Sequence, residues 1–253
     1  MYSQSVPADV GYCLVEPDGG FAFQPPRPVI AGRDRPLGAR AIQNCPAVNA
    51  MERQLVEMPS PVGITLALGE EEGEPALEVR AQGTFVAPER IAEMIWLEPA
   101  ERWRQPERPV LQLRLPFFFV TDEPCVLNQL PPFLAPAMRR WPGMMVPGRF
   151  PLTAWPQTLS WAFEWDRPDE ELTLKQGEPL CYFLFEFNHA AKRPNLVEAA
   201  LTRELAEYRA GMQEIHHVTP EIEEVWEQAK TRRPARLLVP LAEAEAGTEA
   251  TGG

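Results

Sequence analysis

LKQGEPLCYFLFEF, residues Leu174–Phe187, is the stretch whose reading decides the fold. Gly177 offers a backbone position that tolerates positive φ, and Pro179 restricts the entry to the next strand, so a turn precedes the run LCYFLFEF. At a repeat of two, Cys181, Phe183, Phe185 and Phe187 share one face and Leu180, Tyr182 and Leu184 the other. A strand apolar on both faces is covered on both, which predicts a central strand of a sandwich.

The stretches upstream carry the same period. In SWAFEW, Trp161, Phe163 and Trp165 alternate with Ala162 and Glu164, and PVLQLRLPFFFV alternates up to the interruption at Pro116. VGITLAL and PALEVRAQGTF read as a hairpin around the acidic tip GEEEGEP, a solvated turn whose spacing is not that of a calcium loop. APERIAEMIWLEP admits either a short helix opened by Pro88 or a strand over MIWL. The first sixty residues show little periodicity; DVGYCLVEPDGGFAF predicts two short strands about a Pro-Asp-Gly-Gly turn, in an arm that wraps or edges the core. The 29 prolines forbid long helices before residue 195, and connections this short favour antiparallel pairing. The expected fold is mainly β: an antiparallel, jelly-roll-like β-sandwich over residues 1–193 with an irregular N-terminal arm.

Beyond residue 194 the period changes. Val197, Leu201, Leu205, Tyr208 and Met212 predict an amphipathic helix, and Thr219 as N-cap, Pro220, acidic Glu221, Glu223 and Glu224, and the stripe Ile222, Val225, Trp226, Ala229 predict a second. The expectation is a two-helix extension over 194–233 packed on the β domain, an extended RRPARLLVPL, and a disordered acidic tail over 242–253.

Composition narrows the function. With 24 basic and 36 acidic residues the formal charge is −12, which repels a phosphate backbone and argues against nucleic acid as a partner. A leader-like start and a bilayer-length apolar run are both missing from the pattern, so the expected setting is soluble and cytoplasmic, with no membrane partner. Cys13, Cys45, Cys125 and Cys181 form no C-x-x-C pair and are expected reduced, with Cys181 buried. The oligomeric state is left open.

The chemistry follows from a census. Only His189, His216 and His217 are present, so neither a two-His-one-carboxylate site nor a cupin metal site can be assembled; no metal and no cofactor are expected. Glu214 with His216 and His217 makes at best a weak surface site, and a solvated turn is the favoured reading. Ser3, Ser5, Ser60 and Ser160 lack a G-x-S-x-G frame. Carboxylates remain: Asp122 and Glu123 after FFFVT, and Glu164 and Asp166 beside Trp165, are the catalytic candidates, set against the reading that they are solvated strand ends. The Pro-rich stretch from Pro131 to Trp165 supplies Trp141 and Trp155 with Arg139, Arg140 and Arg149, residue types that suit a binding surface for another protein or a glycan; the competing reading makes them packing anchors.

NCPAVNAMERQLVEMPSPVGI, LPFFFVTDEP, LPP, GRFPLTAWPQTLSWAFEW and LKQGEPLCYFLFE, in this order over about residues 40–190, resemble an uncharacterised bacterial and phage family, a domain of unknown function with CPA, LPP, W-P and GEP motifs. The resemblance implies that Cys45-Pro46, the Asp122-Glu123 turn, Trp155 and Gly177-Glu178-Pro179 belong to one unit. It brings no activity, cofactor or catalytic residue. The leading expectation is a non-catalytic binding or assembly protein using its aromatic and Arg-rich loops or its C-terminal helices; the alternative is a metal-independent enzyme using carboxylates on a glycan or small molecule.

Overall fold

The computed structural model describes residues 6–15, 24–29, 45–83, 88–189, 191–218 and 221–251, excepting the side chains of residues 88, 214, 216–218, 222 and 247–251. Along the first half run β1 (Val6–Leu14), β2 (Arg27–Pro28), α1 (Pro46–Glu52), β3 (Leu55–Pro59), β4 (Ile64–Glu71), β5 (Glu74–Ala81), α2 (Pro88–Met94), β6 (Ile95–Leu97), β7 (Val110–Arg114) and β8 (Phe117–Val120). The second half carries β9 (Cys125–Leu130), β10 (Gly143–Met145), β11 (Gly148–Pro151), β12 (Ser160–Trp165), β13 (Leu172–Leu174), β14 (Pro179–Phe187) and β15 (Lys192–Glu198), then α3 (Arg203–Val218), α4 (Ile222–Arg232) and α5 (Leu241–Thr251). The protein is mainly β, with several antiparallel sheets and helices at its C-terminal end.

The described strands make four sheets, ordered β11-β9-β14-β3-β2, β10-β12-β7-β6, β15-β1-β8 and β13-β4-β5. The decisive stretch is β14, paired antiparallel with β3 on one side and β9 on the other. Phe183 is fully buried edge-on to Phe119, with ring centroids 5.0 Å apart, and Phe185 meets the same ring at 5.3 Å. On the opposite face Tyr182 is covered by Phe133, while Leu184 is only half-buried. The β12 aromatics stack in series, Trp161 against Phe163 at 5.4 Å and Phe163 against Trp165 at 5.7 Å. The Trp161 indole Nε1 donates to the Leu180 carbonyl of β14 at 3.0 Å, which joins two sheets through an otherwise apolar core.

Strand β8 shows why FFFV carries no polar residue. Phe117 and Phe119 point into this aromatic core, whereas Phe118 and Val120 point into a second one formed with Cys13, Leu205, Tyr208, Met212, Val225, Ala229 and Leu237. Helices α3 and α4 therefore complete the second face of β8, and period-two alternation becomes invisible because both sides are buried.

Several expectations are corrected. The N-terminal arm edges one sheet through β2, as read, but β1 is the middle strand of another, antiparallel to β8 and parallel to β15. Residues 194–198 are strand, not helix, because the run Lys192–Glu198 finds a ladder partner in Val6–Tyr12; helix α3 begins later, where the Thr202 hydroxyl accepts from the Leu205 amide at 3.2 Å. Leu201 consequently stays exposed instead of joining the stripe, although Leu205, Tyr208 and Met212 are buried as read. Residues 242–251, expected to be disordered, lie in α5, docked by the Arg236 guanidinium gripping Glu243 at 2.9 and 2.7 Å. APERIAEMIWLEP satisfies both of its readings in turn, as α2 and then β6. The acidic tip is a two-residue turn, Glu72 and Gly73, both with positive φ, as a tight hairpin demands. Ser3, Ser5, Thr219 and Pro220, and the side chains of Glu214, His216 and His217, lie outside the described residues.

Candidate functional site

The residues singled out from sequence do not come together. Trp141 is 5% exposed, edge-on to Trp161 at 5.7 Å and Phe163 at 6.1 Å, so it is part of the aromatic core and its indole is not offered to a partner. Arg139 and Arg140 are exposed on the short helical turn Pro136–Arg140. Arg149 on β11 is spent across the sheet, donating to Asn128 at 2.9 Å and Glu186 at 2.6 Å, and Trp155 leans on Phe150. The stretch forbids a ladder less than its prolines suggested: Gly143–Met145 and Gly148–Pro151 both pair as short edge strands.

The candidate carboxylates are committed elsewhere. Asp122 Oδ1 accepts from the amides of Leu237 at 2.6 Å and Leu238 at 3.3 Å, which pins the segment after α4 to the end of β8. Glu123 pairs with Lys192. Glu164 is nearly buried beside Arg108 Nη1 at 3.3 Å and Arg104 Nε at 3.8 Å, and Arg108 also holds Asp166 at 3.0 Å. One guanidinium thus bridges two carboxylates, the geometry of a structural clamp between the segment around Arg108 and the end of β12. His189 shapes the turn into β15, its Nδ1 accepting from the Ala191 amide at 3.2 Å. Among the described residues no three His, Cys, Asp or Glu side chains stand together as metal ligands.

A cavity of about 570 Å³ lies between α4 and the strand ends of β9 and β11. Its walls are mixed: Pro124, Val126, Pro151, Ala154 and Pro234 stand with Ala229 and Trp226 on the apolar side, and Thr153 and Asn188 add polar groups. The sequence placed Trp226 in the buried stripe of α4, but Val225 and Ala229 fill the second core while Trp226 remains 40% exposed. Trp141, Trp161 and Trp165 are all buried, so Trp226 is the outlier among them. At the polar rim stand Glu186, already paired with Arg149, and Lys230, paired with Glu227. Arg233 donates through Nη2 to the Thr121 carbonyl at 2.9 Å, while its Nε is buried with no hydrogen-bond partner among the described residues. Cys125 also borders the cavity, but burial pushes its thiol up to about 12, so it stays protonated and weakly nucleophilic at neutral pH. A sequence signal existed for this site: Trp226 neighbours the apolar positions Val225 and Ala229 on a helix otherwise polar, where a smaller residue would complete the seal.

No protein-family model matches the chain, and no curated protein matches it. The family likeness read from the motifs rests on the motifs alone. Among the described residues no helix is long and apolar enough to cross a membrane.

Proposed function

We propose that the protein is a non-catalytic binding protein, built on a sandwich-like β frame, that grips a planar apolar group of its ligand in the cleft against α4. The observation that carries this is Trp226, whose indole walls a cavity of about 570 Å³ and is left 40% exposed. Cavities of this size that combine aromatic and aliphatic walls with polar groups suit small organic groups or protein side chains, and an exposed indole gains most from covering by another flat apolar surface. The charged rim is already paired within the chain, so the cleft selects by shape and burial more than by charge, and the four candidate carboxylates serve clamps. The binding surface therefore moves from the Pro-rich loop, where Trp141 is buried, to the C-terminal helices.

Titration with the dye anilinonaphthalene sulfonate tests this reading. The wild-type protein is expected to enhance dye fluorescence saturably, and Trp226→Ala to weaken dye binding at least about ten-fold in a protein that still unfolds cooperatively. Equal dye binding by wild type and Trp226→Ala would show that the cleft is not the apolar site.

A further inference from the structure

A second cavity, about 390 Å³, opens where α2, the end of β7 and α3 meet, and it differs in character from the cleft on α4. Arg90, Arg114 and Arg209 line it with Glu93, Thr158 and Gln213. In a chain of formal charge −12, three guanidinium groups and one carboxylate around one small space are a local reversal of sign.

The three arginines are not equivalent. Arg90 holds Glu93 through Nη1 at 2.6 Å. Arg114 is exposed over the face of Trp96, 5.5 Å from the ring centroid, with no ion pair among the described residues. Arg209 is partly buried, lies over Phe118 at 5.2 Å, and its Nε is buried with no hydrogen-bond partner among the described residues. No described carboxylate reaches its guanidinium. Cys13 is the acid nearest in influence, but burial pushes that thiol up to about 12, so it is neutral at physiological pH and cannot serve as the counter-ion. Burying that Nε without an acceptor carries an energetic cost, so the fold keeps Arg209 over Phe118 at some expense. The register of α3 makes the same point. Arg209 falls four residues after Leu205 and three before Met212, both buried, on the side of the helix that otherwise builds the second core.

We infer that this cavity is an anion site for a small molecule bearing a doubly charged oxyanion, a phosphate monoester by class, seated between Arg114 and Arg209. Arg90 and Glu93 cancel, which leaves a charge of about +2 to match the dianion. The planar fork of a guanidinium pairs two phosphate oxygens at once. Thr158 and Gln213 offer hydrogen bonds to the ester body, and a space of about 390 Å³ holds far more than the oxyanion alone, given the ~30 Å³ share of a single water. The inference is independent of the α4 cleft, whose residues are all different.

The test uses the full chain, with inorganic phosphate and glycerol 3-phosphate as probes, by calorimetric titration in chloride buffer at constant ionic strength. Saturable one-to-one binding is expected, tighter for glycerol 3-phosphate than for inorganic phosphate. Arg114→Ala, at an exposed position, is expected to weaken both about ten-fold with the thermal midpoint unchanged. Arg209→Lys keeps the charge without the fork and is expected to weaken binding by a similar factor; Arg209→Ala is the less useful variant because its stem packs on Phe118. Trp226→Ala is expected to leave phosphate binding unaltered, so failure here and failure of the α4 cleft are separately visible. Absence of saturable binding, or binding that Arg114→Ala and Arg209→Lys leave unchanged in folded protein, overturns the site.

Discussion

Replacing Phe183 by alanine tests the architecture at its centre. The side chain is fully buried on β14 and meets Phe119 at 5.0 Å and Phe117 at 6.4 Å, both edge-on, so its loss removes an apolar body and two ring contacts together. Phe→Ala changes in cores cost about 3 to 5 kcal/mol, less where neighbours relax into the space. Relaxation is restricted here because Phe117 and Phe119 belong to a strand held by β1, and β14 is itself held on both sides. The cost is therefore expected at the upper end, about 4 to 5 kcal/mol, roughly a quarter or more of a typical domain's ~5–15 kcal/mol. The assay is urea denaturation followed by tryptophan fluorescence and far-ultraviolet circular dichroism, with coincident transitions required before a free energy is taken. Leu184→Ala is the internal control: one residue on, facing the other way and half-buried, it is expected to cost under roughly 2 kcal/mol. If Phe183→Ala costs less than about 1 kcal/mol, or if Leu184→Ala costs as much, the facing of β14 is wrong and the aromatic core with it.

Two further outcomes concern the titrating groups. Cys45 is the one exposed thiol of the four and its pKa is lowered by backbone hydrogen bonds from Val48 and Ala47, whereas burial raises Cys13, Cys125 and Cys181 to about 12; a thiol-exchange reagent at neutral pH is expected to modify one cysteine quickly and the other three only as the protein unfolds, and Cys45→Ser to abolish the fast phase. The Arg236 hydrogen bond holds Glu243 below its ordinary value, so the folded group releases its proton more readily than the unfolded one; the contribution of this pair is fully present above the unfolded pKa of about 4.3 and is lost as pH falls through the depressed folded value. Proteolytic or hydrogen-exchange protection of α5 is expected to be flat from about pH 7 to 5 and to drop below about pH 4, and Glu243→Gln to remove that drop.

How far the sequence could be read depended on where each burial requirement came from. The strands β4, β5, β7, β12 and β14 were legible because each carries its own period or its own apolar run, and the acidic tip GEEEGEP because it separates two alternating runs. Strand β15 was not, because KRPNLVE takes its conformation from a parallel neighbour more than 180 residues away in sequence, and its Val197 also suits a helical stripe. Trp226 was read as buried, and Trp141 was left between a binding surface and a packing anchor, for related reasons. Both are Trp in variable surroundings, and only the packing of β12 against the Pro136–Arg140 turn, and of α4 against β8, decides which indole is covered. The one local clue was Arg209, a charge on the apolar side of a helix, whose significance depends on finding Phe118 beneath it and no described acceptor beside it.

The distribution of tryptophan and phenylalanine also explains where ligand sites can occur at all. Between β14, β8 and β12 the space is filled by interlocking rings at centroid separations of 5.0 to 6.4 Å, down to the hydrogen bond from Trp161 to β14. A core packed to that density has no volume to yield without losing stability. The helices cannot mesh so closely with the sheets, because α3 and α4 rest on one strand face and leave gaps where β9, β11 and β7 end. Both cavities sit at those junctions, and the side chains proposed to bind, Trp226 and Arg209, come from helix positions adjacent to buried ones. Binding specificity can thus change through α3 and α4 while the aromatic frame stays fixed, which makes Phe183→Ala a stability variant and Trp226→Ala and Arg114→Ala ligand variants, with little crossover between them.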